Sequence, residues 1–221
     1  MNQHQLPPVL CIGITGGIGC GKSYICKQLE ESGHHIFYCD TEAKRIIRTN
    51  PEVMDSLRQI VGESVYDQEG KLVKSVLAAF LCKGKNFSHQ IDAVVHPQVA
   101  KAFHEYALKM NADLHATPQQ TAEAQATQAQ ALHSLHDEIS IDTLRSLDPQ
   151  RTLFMECALL FESKFDILVD ASVLVHVSSE TQIERLMNRD QISREKALAW
   201  IDLQMNEEEK MKRSSAFIVN E

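Results

Sequence analysis

The residues Gly16-Gly17-Ile18-Gly19-Cys20-Gly21-Lys22-Ser23 satisfy G-x-x-x-x-G-K-[ST], the pattern of a loop that cradles the phosphates of nucleoside triphosphates. The residue types explain the chemistry. Glycines let the backbone turn tightly and aim N–H groups at phosphate oxygens. A helix that starts there adds partial positive charge. On this pattern Gly17, Ile18, Gly19, Cys20, Gly21, Lys22 and Ser23 line an ATP phosphate site. Lys22 reaches the β- and γ-phosphates, and Ser23 offers its hydroxyl to Mg²⁺. The bland alternative is a glycine-rich strand-to-helix turn with no ligand. Such a turn has no use for Lys-Ser at its last two positions.

Three further groups have the types that phosphoryl chemistry needs. Asp40 ends the apolar run around Tyr38-Cys39. It either faces the phosphates, as a base for an acceptor hydroxyl or a metal ligand, or caps the helix Thr41 to Thr49. Glu156 ends another apolar run, the usual place of an acid that holds Mg²⁺ through water, and Glu162 follows it. The other reading of Glu156 is a strand end facing solvent. Arg185 and Arg189 share one helix face, and Arg194 follows after a turn. They read as a lid that neutralises charge on a transferred group, or as a solvated face paired with Glu184 and Glu195. His96-Pro97 interrupts a helical stretch, so His96 either contacts an anionic ligand or caps a helix. No histidine pair has metal-ligand spacing.

The elements that must position these residues are legible as runs. Val9 to Thr15, His35 to Cys39, Thr152 to Cys157, Ser172 to Val177 and Ala216 to Asn220 read as strands. The third and fourth are almost continuously apolar, as central parallel strands are. Helical patterns lie between, so the class is α/β with a mostly parallel sheet. The span 51–110 reads as a separate helical subdomain, with amphipathic pieces at Val53 to Val61 and Val73 to Leu81. Around 111–131 the chain is rich in Ala, Gln and Thr and too polar to bury much surface. Ser179-x-x-Gln182 reads as a capping box at the start of a charged helical stretch.

The whole chain narrows the classes. Its 221 residues carry a formal charge of −8, a poor fit to a dedicated nucleic-acid binder. No apolar run approaches the ~20 residues needed to cross a bilayer. The cysteines lack C-x-x-C pairing and suit free thiols in a reducing compartment. A cytoplasmic monomer acting on a small molecule, without nucleic acid or membrane, is the expectation. No Asn-Lys-x-Asp guanine motif occurs, which argues against a GTPase switch.

The loop, Asp40-Thr41-Glu42-Ala43-Lys44, Val95-His96-Pro97-Gln98-Val99, Leu159-Leu160-Phe161-Glu162, and Arg185-Leu186-Met187-Asn188-Arg189-Asp190 with Arg194 and Gln204 together resemble the dephospho-CoA kinase family. The resemblance implies transfer of the γ-phosphoryl of ATP, with Mg²⁺, to the ribose 3′-hydroxyl of dephospho-CoA in the last step of coenzyme A synthesis. It implies a three-layer core of the P-loop NTPase type with a five-stranded parallel sheet, here 9–50, 150–178 and 214–221. It also implies a helical CoA-binding subdomain (51–110), a connection (111–149) and a helical lid (179–213).

Asp40 matches the family's proposed general base, and Lys22, Arg185 and Arg189 join it as catalytic groups. Arg194 falls to the nucleotide, His96, Asp40 and Glu162 to the acceptor, Ser23 and Glu156 to the metal. This chain departs from the family pattern at Tyr38, where an acid is frequent, and at Ala158, where proline is usual. The resemblance also implies a helix beyond the last strand. The alternative is a related P-loop kinase for a nucleoside, nucleotide or other small molecule, and the helical region between the second and third strands should separate the two.

Overall fold

The computed structural model describes residues 9–113 and 137–221. Five strands form one sheet in the order β2-β3-β1-β4-β5. They are β1 (Leu10–Thr15), β2 (His35–Tyr38), β3 (Thr152–Glu156), β4 (Ala171–His176) and β5 (Ala216–Val219). All four pairings are parallel. β1 is buried along its whole length and β3 and β4 nearly so, which is why they read as unbroken apolar runs. The register sets Ile14 beside Glu156, Tyr38 beside Glu156, and His176 beside Val219. The carboxyl ends of all five strands therefore open on one edge, where ligands gather in open α/β sheets.

Helices are α1 (Lys22–Glu31), α2 (Cys39–Thr49), α3 (Pro51–Val61), α4 (Lys74–Leu81), α5 (Lys85–Asp113), α6 (Ile141–Arg145), α7 (Ser179–Asp190), α8 (Arg194–Ile201) and α9 (Glu207–Arg213). The chain divides into two compact units. One is Cys39–Phe103; the other holds the sheet and the remaining helices, including α5 from His104 on. The core of the sheet unit joins Leu10, Ile12, Ile14, Phe154 and Val173 to Ile25 and Leu29 of α1. In the helical unit Asn50 caps α3 by accepting from Val53 N at 3.2 Å, with Pro51 in the first turn. Tyr66 donates to the Ile47 carbonyl at 2.6 Å, and Val53, Leu57, Val65, Val95 and Val99 are buried.

Four local readings change. β2 stops at Tyr38, and α2 starts at Cys39, so Asp40 lies in the first turn of a helix. Pro97 sits inside α5 without ending it. α7 is capped by Ser178, which accepts from Thr181 N at 3.3 Å, not by Ser179. Finally, residues 137–149 are part of the packed structure. Ile139 N donates to Phe217 O at 2.8 Å and Phe217 N to Asp137 O at 3.2 Å, so this segment lines the outer edge of β5. Ile139 and Leu144 join the core of the sheet unit. The Ala/Gln-rich residues 114–136 lie outside the described residues.

Candidate phosphate-binding and catalytic site

The loop leaves β1 at Thr15 and enters α1 at Lys22. Gly16, Gly19 and Gly21 all have positive φ, and Gly21 is the left-handed N-cap of α1. Only glycine adopts such a run without strain. At Gly16 a side chain would also strike Cys20 Sγ and the Val175 carbonyl, both 2.6 Å from where Cβ would stand. Sequence and geometry thus agree: the glycines exist to let backbone pass where side chains cannot.

Lys22 folds back over its own loop. Its ammonium donates to Gly16 O at 2.8 Å and Gly17 O at 3.2 Å, and the residue is 8% exposed. Among the described residues no carboxylate pairs with it. Arg185 on α7 supplies a second cation. Its Nη1 is buried and, among the described residues, has no hydrogen-bond partner. That atom lies 3.6 Å from the point where a Cβ on Gly21 would stand. A buried ammonium and a half-buried guanidinium with one buried nitrogen, neither facing an anion among the described residues, describe an anion site, because desolvated charge is costly unless paired.

The rest of the loop is fixed from other elements. Gln182 Nε2 donates to Ile18 O and Ile18 N donates to Gln204 Oε1, each at 2.7 Å. Asn220 Nδ2, just past β5, donates to Cys20 O at 2.9 Å. The reading from sequence alone overlooked Gln182 and Asn220. Gln182 looked like half of a capping box. Asn220 had one available signal, a polar residue at the carboxyl end of a sheet strand. Burial pushes the Cys20 thiol up, with Lys22 pulling the other way.

The remaining expected residues divide into two sets. Glu156 ends β3, level with Ile14 and Tyr38. Burial pushes the Tyr38 phenol far above its ordinary value, with Cys26 and Glu30 adding to the effect; it stays neutral and cannot replace a carboxylate there. Ser23 is exposed in the first turn of α1. Glu162 accepts from Met205 N at 3.0 Å and pairs at 3.5 Å with Lys210, which is 1% exposed. Arg189 binds Asp190 at 2.7 Å, and Arg194 grips Glu180 through both oxygens, at 2.5 and 2.8 Å. Of the three arginines, the structure brings Arg185 alone to the loop. Asp40 and His96 belong to the helical unit. Asp40, exposed, is bonded by Lys44 one turn on. His96 Nε2 lies 3.5 Å from Asp92 Oδ1.

Among the described residues no three His, Cys, Asp or Glu side chains converge as a metal site, and no helix is long and apolar enough to cross a membrane. Ser23 and Glu156 still offer hard oxygen donors of the kind Mg²⁺ prefers when phosphates complete its shell.

Known proteins match this chain over nearly its whole length. The family model described as dephospho-CoA kinase matches residues 10–119 and 119–221. A dephospho-CoA kinase of Bacteroides fragilis is 33% identical, over 95% of this chain and 84% of its own length. One from Listeria monocytogenes is 26% identical, over 95% and 86%. Among solved structures, a Thermus thermophilus protein superimposes with a TM-score of 0.68 at 26% identity, covering 96% of this chain and 89% of its own. A dephospho-CoA kinase from Campylobacter jejuni shares the fold with a TM-score of 0.53 at 19% identity, over 96% and 88%. The chain belongs to the dephospho-CoA kinase family, transferases that use ATP to phosphorylate dephospho-CoA in coenzyme A synthesis.

Proposed function

We propose that this chain transfers the γ-phosphoryl group of ATP to the ribose 3′-hydroxyl of dephospho-CoA, giving CoA and ADP. The observation that carries the reading is the buried ammonium of Lys22 together with the buried, unpartnered Nη1 of half-buried Arg185 at one glycine-rich loop. A triphosphate supplies the charge they lack. The loop N–H groups and the start of α1 add partial positive charge.

Asp40 orients the acceptor hydroxyl and takes its proton. The new bond forms between the 3′-oxygen and the γ-phosphorus, the bond to the bridging β,γ-oxygen breaks, and ADP leaves. Support for Asp40 is its family motif and its place two residues beyond the end of β2. Lys22 and Arg185 neutralise the transferred group. Arg189 and Arg194 join them by leaving Asp190 and Glu180, since exposed ion pairs hold weakly. His96 and Glu162 serve the acceptor, within a helical acceptor-binding part (51–110) and beside a lid (179–213). Ser23 and Glu156 would hold Mg²⁺, which when bound would offset charge on the phosphates. The proposed setting is a cytoplasmic monomer without nucleic-acid partners, a reading supported by the charge of −8.

The test is ADP release with ATP, Mg²⁺ and dephospho-CoA, the product identified by mass and the phosphate located on the ribose. CoA formed from dephospho-CoA, with adenosine and AMP inert, is the expected result. Turnover of the control acceptors instead would sink the assignment. Asp40→Asn should bind ATP as before and lose most turnover; near-native turnover removes Asp40 from the base role.

A further inference from the structure

Ile18 is gripped on both of its backbone polar groups. Its N–H donates to Gln204 Oε1 and its C=O accepts from Gln182 Nε2, both at 2.7 Å. The amide orientations are not interchangeable. A backbone N–H only donates, so Gln204 must present oxygen; a carbonyl only accepts, so Gln182 must present nitrogen.

The surroundings are built for this grip. The Ile18 side chain packs against Ile183, Leu186 and Ala197 of α7 and α8. Gly17 does not have positive φ, yet a Cβ there would stand 2.5 Å from Gln182 Nε2. Glycine at that position answers the approach of the glutamine rather than a backbone conformation. Gln182 is only 5% exposed. Gln204 is anchored from behind, because the next residue, Met205, donates its N–H to Glu162, which in turn pairs with buried Lys210.

We propose that Gln182 and Gln204 are positioning residues of the phosphate loop. They act through the loop. Fixing the N–H and C=O of Ile18 sets the directions of the peptides that follow; the Cys20 N–H is taken by Gly17 O at 3.3 Å, which leaves the N–H groups of Gly19 and Gly21 for phosphate oxygens. The segment bearing Arg185 is tied by the same contacts to the loop it serves. The loop is thereby pre-organised for ATP, and the ordering cost is met before the nucleotide arrives.

The inference rests on ATP binding at this loop, so binding is titrated directly, without acceptor, in the full chain. If the native chain does not bind ATP, the proposed function fails first. Given native binding, Gln182→Ala and Gln204→Ala should each raise the Kd for ATP about five- to tenfold, the worth of one buried hydrogen bond with its orphaned partner. The KM for dephospho-CoA should stay within about twofold, since the contacts touch the loop alone.

The glutamate variants separate positioning from bulk stabilisation. Both add the same charge beside the same residue. Gln204→Glu keeps an acceptor for Ile18 N–H; Gln182→Glu sets a carboxylate against a carbonyl. Binding should therefore be clearly weaker in Gln182→Glu than in Gln204→Glu. Equal loss in the two glutamate variants, or alanine variants within about twofold of native, overturns the proposal. If the alanine variants do not fold, the glutamate pair decides alone.

Discussion

At the scale of single residues, the site is a problem in unpaired charge. Arg185 Nη1 is buried without a partner among the described residues, so the protein bears a desolvation cost that only a ligand returns. Stability and activity should therefore move in opposite directions on substitution. Arg185→Ala is expected to leave the melting temperature unchanged or higher, while kcat falls by about a hundredfold or more. Lys22→Ala should abolish transfer. Thermal melting beside steady-state rates checks this, and a large drop in melting temperature for Arg185→Ala would mean the guanidinium holds the fold rather than serving the reaction. The loop was legible in the sequence because its chemistry is local: glycines, Lys22 and Ser23 lie within one turn of chain. Gln182 was misread for the same reason. Its spacing from Ser179 fits a capping box, and nothing local distinguishes that from a bond to Ile18, which lies across the fold.

At the scale of elements, strands were legible and their edges were not. An apolar run identifies a buried strand wherever it falls, and each of the five observed strands overlaps an expected run. The pairing of residues 137–139 along β5 joins segments far apart in sequence and leaves no periodic trace. The end of β5 has a functional consequence. It delivers Asn220, whose Nδ2 donates to the Cys20 carbonyl and occupies the space a Cβ on Gly21 would need. That bond fixes the Cys20–Gly21 peptide of the loop proposed to hold the phosphates. Asn220→Ala should weaken ATP binding about fivefold, one hydrogen bond's worth. Asn220→Asp should weaken it further, because a carboxylate would oppose both the carbonyl and the phosphates. Calorimetric titration of ATP reads both values. Equal, near-native affinities would mean the loop holds its shape without β5.

At the scale of the whole molecule, the six cysteines report how the chain opens. None is in a disulfide; Cys82 is exposed, and Cys11, Cys20, Cys26, Cys39 and Cys157 are buried. Burial pushes the thiols of Cys11, Cys20 and Cys26 well above their ordinary value. Their thiolates, the reactive form, are scarce near neutral pH. Alkylation of the native protein at about pH 8 should therefore label Cys82 rapidly, while the other five wait for opening events. ATP makes this selective. A ligand that binds only the closed form slows opening by the factor 1 + [L]/Kd, so ATP at about a hundred times its Kd should slow labelling of Cys11, Cys20 and Cys26 about a hundredfold. These three lie on β1, in the loop and on α1, so they label only when the nucleotide-binding unit itself comes apart. Cys82, already exposed, should not respond. Mass mapping of the labelled peptides over time resolves each site. Rapid labelling of Cys20 in the absence of ATP would show that the loop opens without the unit. In that case the clamps from Gln182, Gln204 and Asn220 would be too weak to pre-form the phosphate site.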